Sequence, residues 1–188
     1  WRNGEPGFYV YDEANDQHSF DIDKHPEKRM EATNPCAEQP LPIDGCCCLG
    51  SILLTRLVKQ PFTGEAYFDF EALDELVAAA VRSLDNVLDQ TQWPDERQAQ
   101  EAADKRRIGL GFIGLGSALI MLGLKYNSEA ARQMASDIME AITIRAYRAS
   151  VELAQEKGAF PKLDAEKYLQ SGFMQRLTAA YPDLADAI

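Results

Sequence analysis

From Asp69 onward the sequence follows the period of a helix. Leu73, Leu76, Val77, Ala80, Val81, Leu84, Val87 and Leu88 recur at i, i+3, i+4 and i+7, which lines them along one face. Asp69 is placed to cap the first turn, Glu71 sits where the helix dipole favours an acid, and Trp93-Pro94 ends the run. Ala131, Met134, Ala135, Ile138, Met139, Ile142 and Ala146 predict another helix from about Ser128 to Lys157, with Gly158 as its stop. The charged stretch Asp95 to Arg107 fits a solvated helix, and shorter helical patches are expected at Ala165–Leu169 and Met174–Ala180. Helices with one apolar face need a second layer to bury it.

The earlier part of the chain reads differently. Pro35, Pro40, Pro42 and Gly45 crowd one segment, and no helix runs through that density of proline. Before it lies a polar stretch with one apolar patch, Phe8-Tyr-Val-Tyr11, expected as a short strand after a turn at Gly4-Glu-Pro-Gly7. His18 and His25 lack the spacing of a metal pair and are expected on the surface. Residues 46 to 59 are apolar and partly β-branched, and their pattern fits a buried strand or a short helix equally well.

Composition bounds the function. The chain has 188 residues, 46% of them hydrophobic, which excludes a disordered chain. Thirty Asp and Glu against 19 Lys and Arg leave a formal charge of −11, which disfavours tight binding to a nucleic-acid backbone. No apolar run is long enough to span a membrane, and no export signal is visible. Four cysteines, three of them consecutive, do not make a secreted disulfide framework, so a reducing, cytoplasmic setting is expected. Trp1 is not an initiator and both ends read as cuts, so a piece of a larger protein is expected.

Ile108 to Leu124 is nearly all apolar and rich in glycine, and is expected to be a buried helix. Within it, Gly109-Leu-Gly-Phe-Ile-Gly114 matches the dinucleotide pattern G-x-G-x-x-G. That chemistry needs a strand ahead of the glycines, and Glu101 to Arg107 is no buried strand. Arg106 and Arg107 have the charge to hold a phosphate, and a solvated helix end explains them as well. The glycines are read as close-packing positions.

The segment with chemistry is Asn34-Pro-Cys36-Ala-Glu38-Gln-Pro-Leu41. If the backbone is extended, residues two apart point the same way, so an amide, a thiol and a carboxylate project together. The carboxylate can serve as a general base, the amide can orient a hydroxyl, and the thiol is a nucleophile or redox centre. The same residues also fit a surface loop with an incidental cysteine. Gly45-Cys-Cys-Cys-Leu-Gly-Ser51 follows. Adjacent cysteines are poor tetrahedral ligands, so no metal site is expected. A papain-like arrangement is disfavoured, because neither histidine has a suitable setting.

Taken together, Asn34-Pro-Cys-Ala-Glu-Gln-Pro-Leu41 and Gly45-Cys-Cys-Cys-Leu-Gly-Ser51 resemble the active-site segment of ribonucleotide reductase large chains, most of all the adenosylcobalamin-dependent branch. Gly4-Glu-Pro-Gly7, Glu31-Ala-Thr-Asn34, Leu84 to Asp89, Lys105 to Gly111 and Glu156 to Pro161 extend the resemblance over nearly the whole chain. It implies an α/β fold: a helix-dominated fragment of a ten-stranded α/β barrel, with residues 1–59 as finger loop and strand region and residues 60–188 mainly helical. It implies that Cys36 becomes a thiyl radical that takes the ribose 3′-hydrogen, with Glu38 accepting the 3′-hydroxyl proton and Asn34 bonding near those hydroxyls. Cys47 matches one of two cysteines that end as a disulfide, its partner lying upstream, while Cys46 and Cys48 are read as packing residues. Adenosylcobalamin as cofactor, a ribonucleotide substrate, a nucleotide effector, a thioredoxin-like reductant and a homodimer are further implications. The alternatives are a class I large chain served by a separate radical-generating subunit, a helical binding or assembly module, and a thiol hydrolase.

Overall fold

The Asp69 carboxylate accepts from the Ala72 N–H at 2.9 Å, and the first long helix starts there. In the computed structural model, which describes every residue except Trp1, Asn3, Glu5 and Pro6, this helix is α2 (Phe70–Gln90). A shorter helix precedes it, α1 (Tyr11–Asp16). The turn expected at Gly4–Gly7 falls partly outside the described residues.

The chain divides into two units, the second formed by Cys48–Thr91 and Arg107–Ala159. Its sheet pairs β3 (Cys48–Leu53) in parallel with β6 (Ile108–Ile113), Cys48 opposite Ile108 and Leu53 opposite Ile113. A small antiparallel pair, β4 (Val58–Lys59) with β5 (Tyr67–Phe68), leads into α2. After β6 come α4 (Leu115–Met121) and α5 (Glu129–Lys157), the latter capped by Ser128 and stopped at Gly158. The buried stripe of α2 is Leu73, Val77, Val81, Leu84 and Leu88, while Leu76 and Val87 at the margins of the expected face remain exposed. Leu73, Val77 and Val81 of that stripe meet Ile138, Ile142, Ala149 and Leu153 of α5 and Ile52 of β3 in one core. A Cβ at Gly50 would stand 3.2 Å from the Leu84 side chain, so the glycine lets α2 lie close on the sheet. At the solvent edge of α2 and α5, Arg82 is bonded to Glu156 at 3.0 and 2.5 Å. Lys157 reaches Asp85 at 2.7 Å, Asn86 at 3.0 Å and Asp89 at 3.2 Å.

Ile108 to Ile113 is thus a strand, where the apolar run predicts a helix. Only α4 keeps helical form in that stretch, beginning after Gly114 at φ +82°. A short apolar run without periodicity takes its state from its partner, here the parallel ladder with β3. The glycine pattern therefore lies largely within the strand, with Gly109 and Gly111 in β6 itself, rather than in a turn cradling a pyrophosphate.

The first unit comprises Trp1–Cys47, Gln92–Arg106 and Phe160–Ile188. It holds α1, a hairpin of β1 (Ala32–Thr33) and β2 (Pro40–Leu41), and α3 (Glu96–Lys105). It also contains α6 (Ala165–Gln170), α7 (Gly172–Ala180) and α8 (Pro182–Ala187), the last not expected from the sequence. Phe8 to Val10 is not a strand, and Tyr11 already opens α1. Phe20 is buried at the centre, edge-on to Phe160 at 6.3 Å, with the Lys28 ammonium 4.8 Å and the Lys105 ammonium 5.7 Å from its ring. These are cation–π distances. Lys105 also pairs with Glu101.

Candidate active site at the Asn34–Glu38 turn

Asn34 to Glu38 is the tip of the β1–β2 hairpin and is turned, not extended. The Ala37 N–H donates to the Asn34 carbonyl at 3.0 Å, and Ala37 lies at φ +64°. Asn followed by Pro is a turn-opening pair: the asparagine side chain bonds its own loop and proline presets the next φ. The Gln39 N–H accordingly donates to Asn34 Oδ1 at 3.0 Å, and the Asn34 N–H to the Gln39 carbonyl at 3.2 Å.

The turn brings two of the expected residues together. The Asn34 Nδ2 amide donates directly to the Glu38 carboxylate. Cys36 stands between them in sequence and is exposed. Alternation along a strand is therefore not what joins amide and carboxylate, and the closing of the turn is.

Cys46, Cys47 and Cys48 are half-buried, and none of the four cysteines is in a disulfide. Cys48 opens β3, and its N–H donates to the Arg107 carbonyl at 3.3 Å. Along β3 the exposed positions are Leu49, Ser51 and Leu53, while Ile52 is buried in the core and Gly50 lies under Leu84. Cys48 shares the inner parity, and burial pushes its thiol pKa up. Cys47 directly precedes the strand. Among the described residues, no group of three or more His, Cys, Asp or Glu is placed to hold a metal ion.

Residues 1–183 match the family described as ribonucleotide reductase, barrel domain. The chain belongs to the ribonucleotide reductase family. A vitamin B12-dependent ribonucleoside-diphosphate reductase of Mycobacterium tuberculosis is 40% identical over 144 residues, covering 77% of this chain and 20% of that protein. Its counterpart from Thermoplasma acidophilum is 36% identical over 179 residues, covering 94% of this chain and 22% of that protein. The chain thus spans about a fifth of the length of these relatives. In fold it is similar to the alpha subunit of the Actinobacillus ureae class Id ribonucleotide reductase, with a TM-score of 0.69, 24% identity, and coverage of 88% of this chain and 32% of that one. The α/β, helix-rich architecture is that of a partial reductase barrel. No helix of the described residues is long and apolar enough to cross a membrane.

Tyr11, Arg29, Asn15 and His18 hold the segment that leads into the hairpin, a role the sequence did not assign to them. The Arg29 Nε–H donates to the Tyr11 hydroxyl at 3.0 Å, and its guanidinium lies 5.0 Å from the Tyr11 ring. Asn15, 6% exposed, bonds the Met30 backbone. His18 is buried, contrary to the surface position expected for it: Nε2 bonds the Lys28 carbonyl at 2.9 Å and Nδ1 accepts from the Phe20 N–H at 3.0 Å. Both ring nitrogens are used internally, which explains the burial. For Asn15 the available signal was spacing, since Tyr11 and Asn15 stand four apart on one side of α1. His25 is exposed, as expected.

Proposed function

We propose that this chain is the loop-bearing part of the barrel of a vitamin B12-dependent ribonucleotide reductase, in which Cys36 is the radical-bearing thiol. The observation that carries this is the turn itself: an exposed thiol between an amide and a carboxylate that are hydrogen-bonded to each other. The names of the Mycobacterium tuberculosis and Thermoplasma acidophilum relatives support the cofactor.

The roles follow from the chemistry of each side chain. Adenosylcobalamin, when bound, supplies the radical that takes the hydrogen atom from a thiol, and Cys36, exposed at the hairpin tip, is the residue here that fits such an external source. The Cys36 thiyl then takes the 3′-hydrogen of the ribonucleotide. Glu38 accepts the 3′-hydroxyl proton as water leaves from C2′, and Asn34 holds that carboxylate in place. Two electrons and two protons come from Cys47 and a second cysteine, which end as a disulfide, and the 3′-carbon radical then takes its hydrogen back from the Cys36 thiol, which regenerates the thiyl. A thioredoxin-like reductant restores the dithiol. Cys47 takes the electron-donor role from its match to the Cys-x-Leu-Gly-Ser context of the family, whereas Cys48 shares the inner parity of β3.

A second reading is supported by a ribonucleoside-diphosphate reductase large chain of Encephalitozoon cuniculi, 34% identical over 139 residues. In that reading the radical comes from a separate subunit. The test uses the full-length protein that contains this chain, assayed for ribonucleotide reduction with adenosylcobalamin as sole radical source. The expected result is turnover that Cys36→Ser abolishes, because a serine O–H bond is too strong to yield the radical. Turnover that needs a second subunit instead moves the assignment to the class I reading, and turnover in Cys36→Ser overturns the role of Cys36.

A further inference from the structure

We propose that Asn15 is a positioning residue for the reactive turn, fixing the root of the hairpin through the backbone of Met30. This rests on the reading of Cys36 and Glu38 given above. The Asn15 side chain is buried, with 6% of the residue exposed, and every hydrogen of its amide is used. Nδ2 donates to the Tyr11 carbonyl at 3.0 Å and to the Met30 carbonyl at 3.1 Å, while Oδ1 accepts from the Met30 N–H at 2.9 Å. One side chain thus satisfies both polar groups of a single backbone residue, as an opposing strand would. The bond to Tyr11 fixes the amide plane relative to α1, so the position of Met30 is tied to that helix.

Met30 is where the hairpin begins. The next residue, Glu31, donates its N–H to the Leu41 carbonyl at 2.9 Å, followed by the pairs Ala32–Leu41 and Thr33–Pro40 and then by Asn34. A two-stranded ribbon this short does not hold its own shape in water. Its orientation must come from what grips its ends, and the grip on the leading strand is side chain to backbone. Lys28 and Arg29 are held as well, by His18 and Tyr11, but each of those contacts leaves the Met30 backbone untouched. Asn15 alone among the described residues pairs with both the N–H and the carbonyl of Met30.

Geometry also says which substitution separates positioning from bulk. Asn15→Asp has the same shape and can still accept from the Met30 N–H, yet it sets a carboxylate oxygen against two carbonyls. Asn15→Leu keeps the volume and removes all three bonds. The full-length protein carrying each variant is examined by amide hydrogen exchange and by steady-state kinetics, with Cys36→Ser alongside. For Asn15→Asp, exchange at Met30 and Glu31 should rise about tenfold or more while exchange in α2 and α5 stays at the wild-type level. Its kcat should fall about tenfold or more with KM within about threefold, since misplacing a reacting group costs turnover rather than ground-state binding. Unchanged exchange at Met30, or unchanged kcat despite faster exchange, overturns the proposal. So does a general rise in exchange through α2 and α5 in Asn15→Asp, which makes the residue a determinant of folding; if Asn15→Leu alone shows that rise, the aspartate variant decides. Retained turnover in Cys36→Ser would instead remove the reading of the loop, and the exchange result at Met30 is independent of it.

Discussion

The Asn34 amide donates to the Glu38 carboxylate across a turn whose left-handed residue is Ala37. The same asparagine accepts from the Gln39 N–H through Oδ1, so one side chain both closes the turn and aims the acid. Glu38→Gln leaves an oxygen to accept from Asn34 and so should keep the turn while removing the base. In the full-length protein its kcat is expected to fall about 100-fold or more with little change in KM. Asn34→Ala loses both contacts, so it should lower kcat and also speed amide exchange at Gln39. A wild-type kcat in Glu38→Gln would exclude the carboxylate as base.

The three consecutive cysteines should separate by role. If Cys47 is half of the redox pair, Cys47→Ser should still allow the radical to form at Cys36, because forming it does not consume the dithiol. Productive reduction should stop, with substrate breakdown or enzyme inactivation in place of multiple turnover. Cys48→Ser faces the core, and it should lower stability by about 1 kcal/mol and leave turnover largely intact. Cys46→Ser should likewise be mild. The three variants are assayed side by side under reducing conditions; a dead Cys46→Ser with an active Cys47→Ser moves the role to Cys46.

Thiol reactivity gives a check that needs no substrate. Cys36 is exposed, whereas burial raises the pKa of Cys48 and so lowers its thiolate fraction at neutral pH. With a limiting alkylating agent at pH 7, peptide mass spectrometry should find Cys36 modified first and Cys48 after it. Modification of Cys48 ahead of Cys36 would contradict the exposure of the hairpin tip.

What the sequence made legible was local. The starts of α2 and α5 were readable because Asp69 and Ser128 cap through side chains a few residues from the groups they satisfy. β6 was not, since its strand state depends on pairing with β3, far away in the chain, and its glycines and apolar residues carry no period. The loop was half legible. The residue types of Asn34, Cys36 and Glu38 named the chemistry, but an alanine gives no warning of positive φ, and the Asn-Pro turn signal was outweighed by the proline-bounded, extended look of the segment. His18 was misplaced because burial of a histidine depends on backbone partners, here at Lys28 and Phe20, that no spacing rule supplies.

The α2–α5 contact should dominate the stability of the second unit. Ile142 is 2% exposed and packs in the core that includes Val77, Val81 and Ile138. Ile142→Ala is expected to cost about 2–5 kcal/mol, from lost transfer energy and the cavity left behind. Met139, one turn away and 41% exposed, should tolerate alanine within about 0.5 kcal/mol. Denaturant unfolding followed by far-UV circular dichroism compares the two, and equal losses would mean that the helix face is assigned wrongly.

Asp69 links helix α2 to pH. Its carboxyl is held below the usual carboxylate range, first by the backbone N–H of Ala72 and then by Lys59, whose ammonium lies 3.3 Å away. A group with a lowered folded pKa stabilises fully above its unfolded pKa, and that contribution disappears as pH falls through the folded value. The cap should therefore be intact at neutral pH and weaken progressively below about pH 4. Asparagine caps as well as aspartate but does not titrate. Asp69→Asn should match the wild type closely near pH 7, apart from the loss of the Lys59 pair, and should show a flatter decline in melting temperature from pH 5 to pH 2. If the two proteins lose stability in parallel over that range, the acid sensitivity arises from other carboxylates and the Asp69 cap contributes nothing to it.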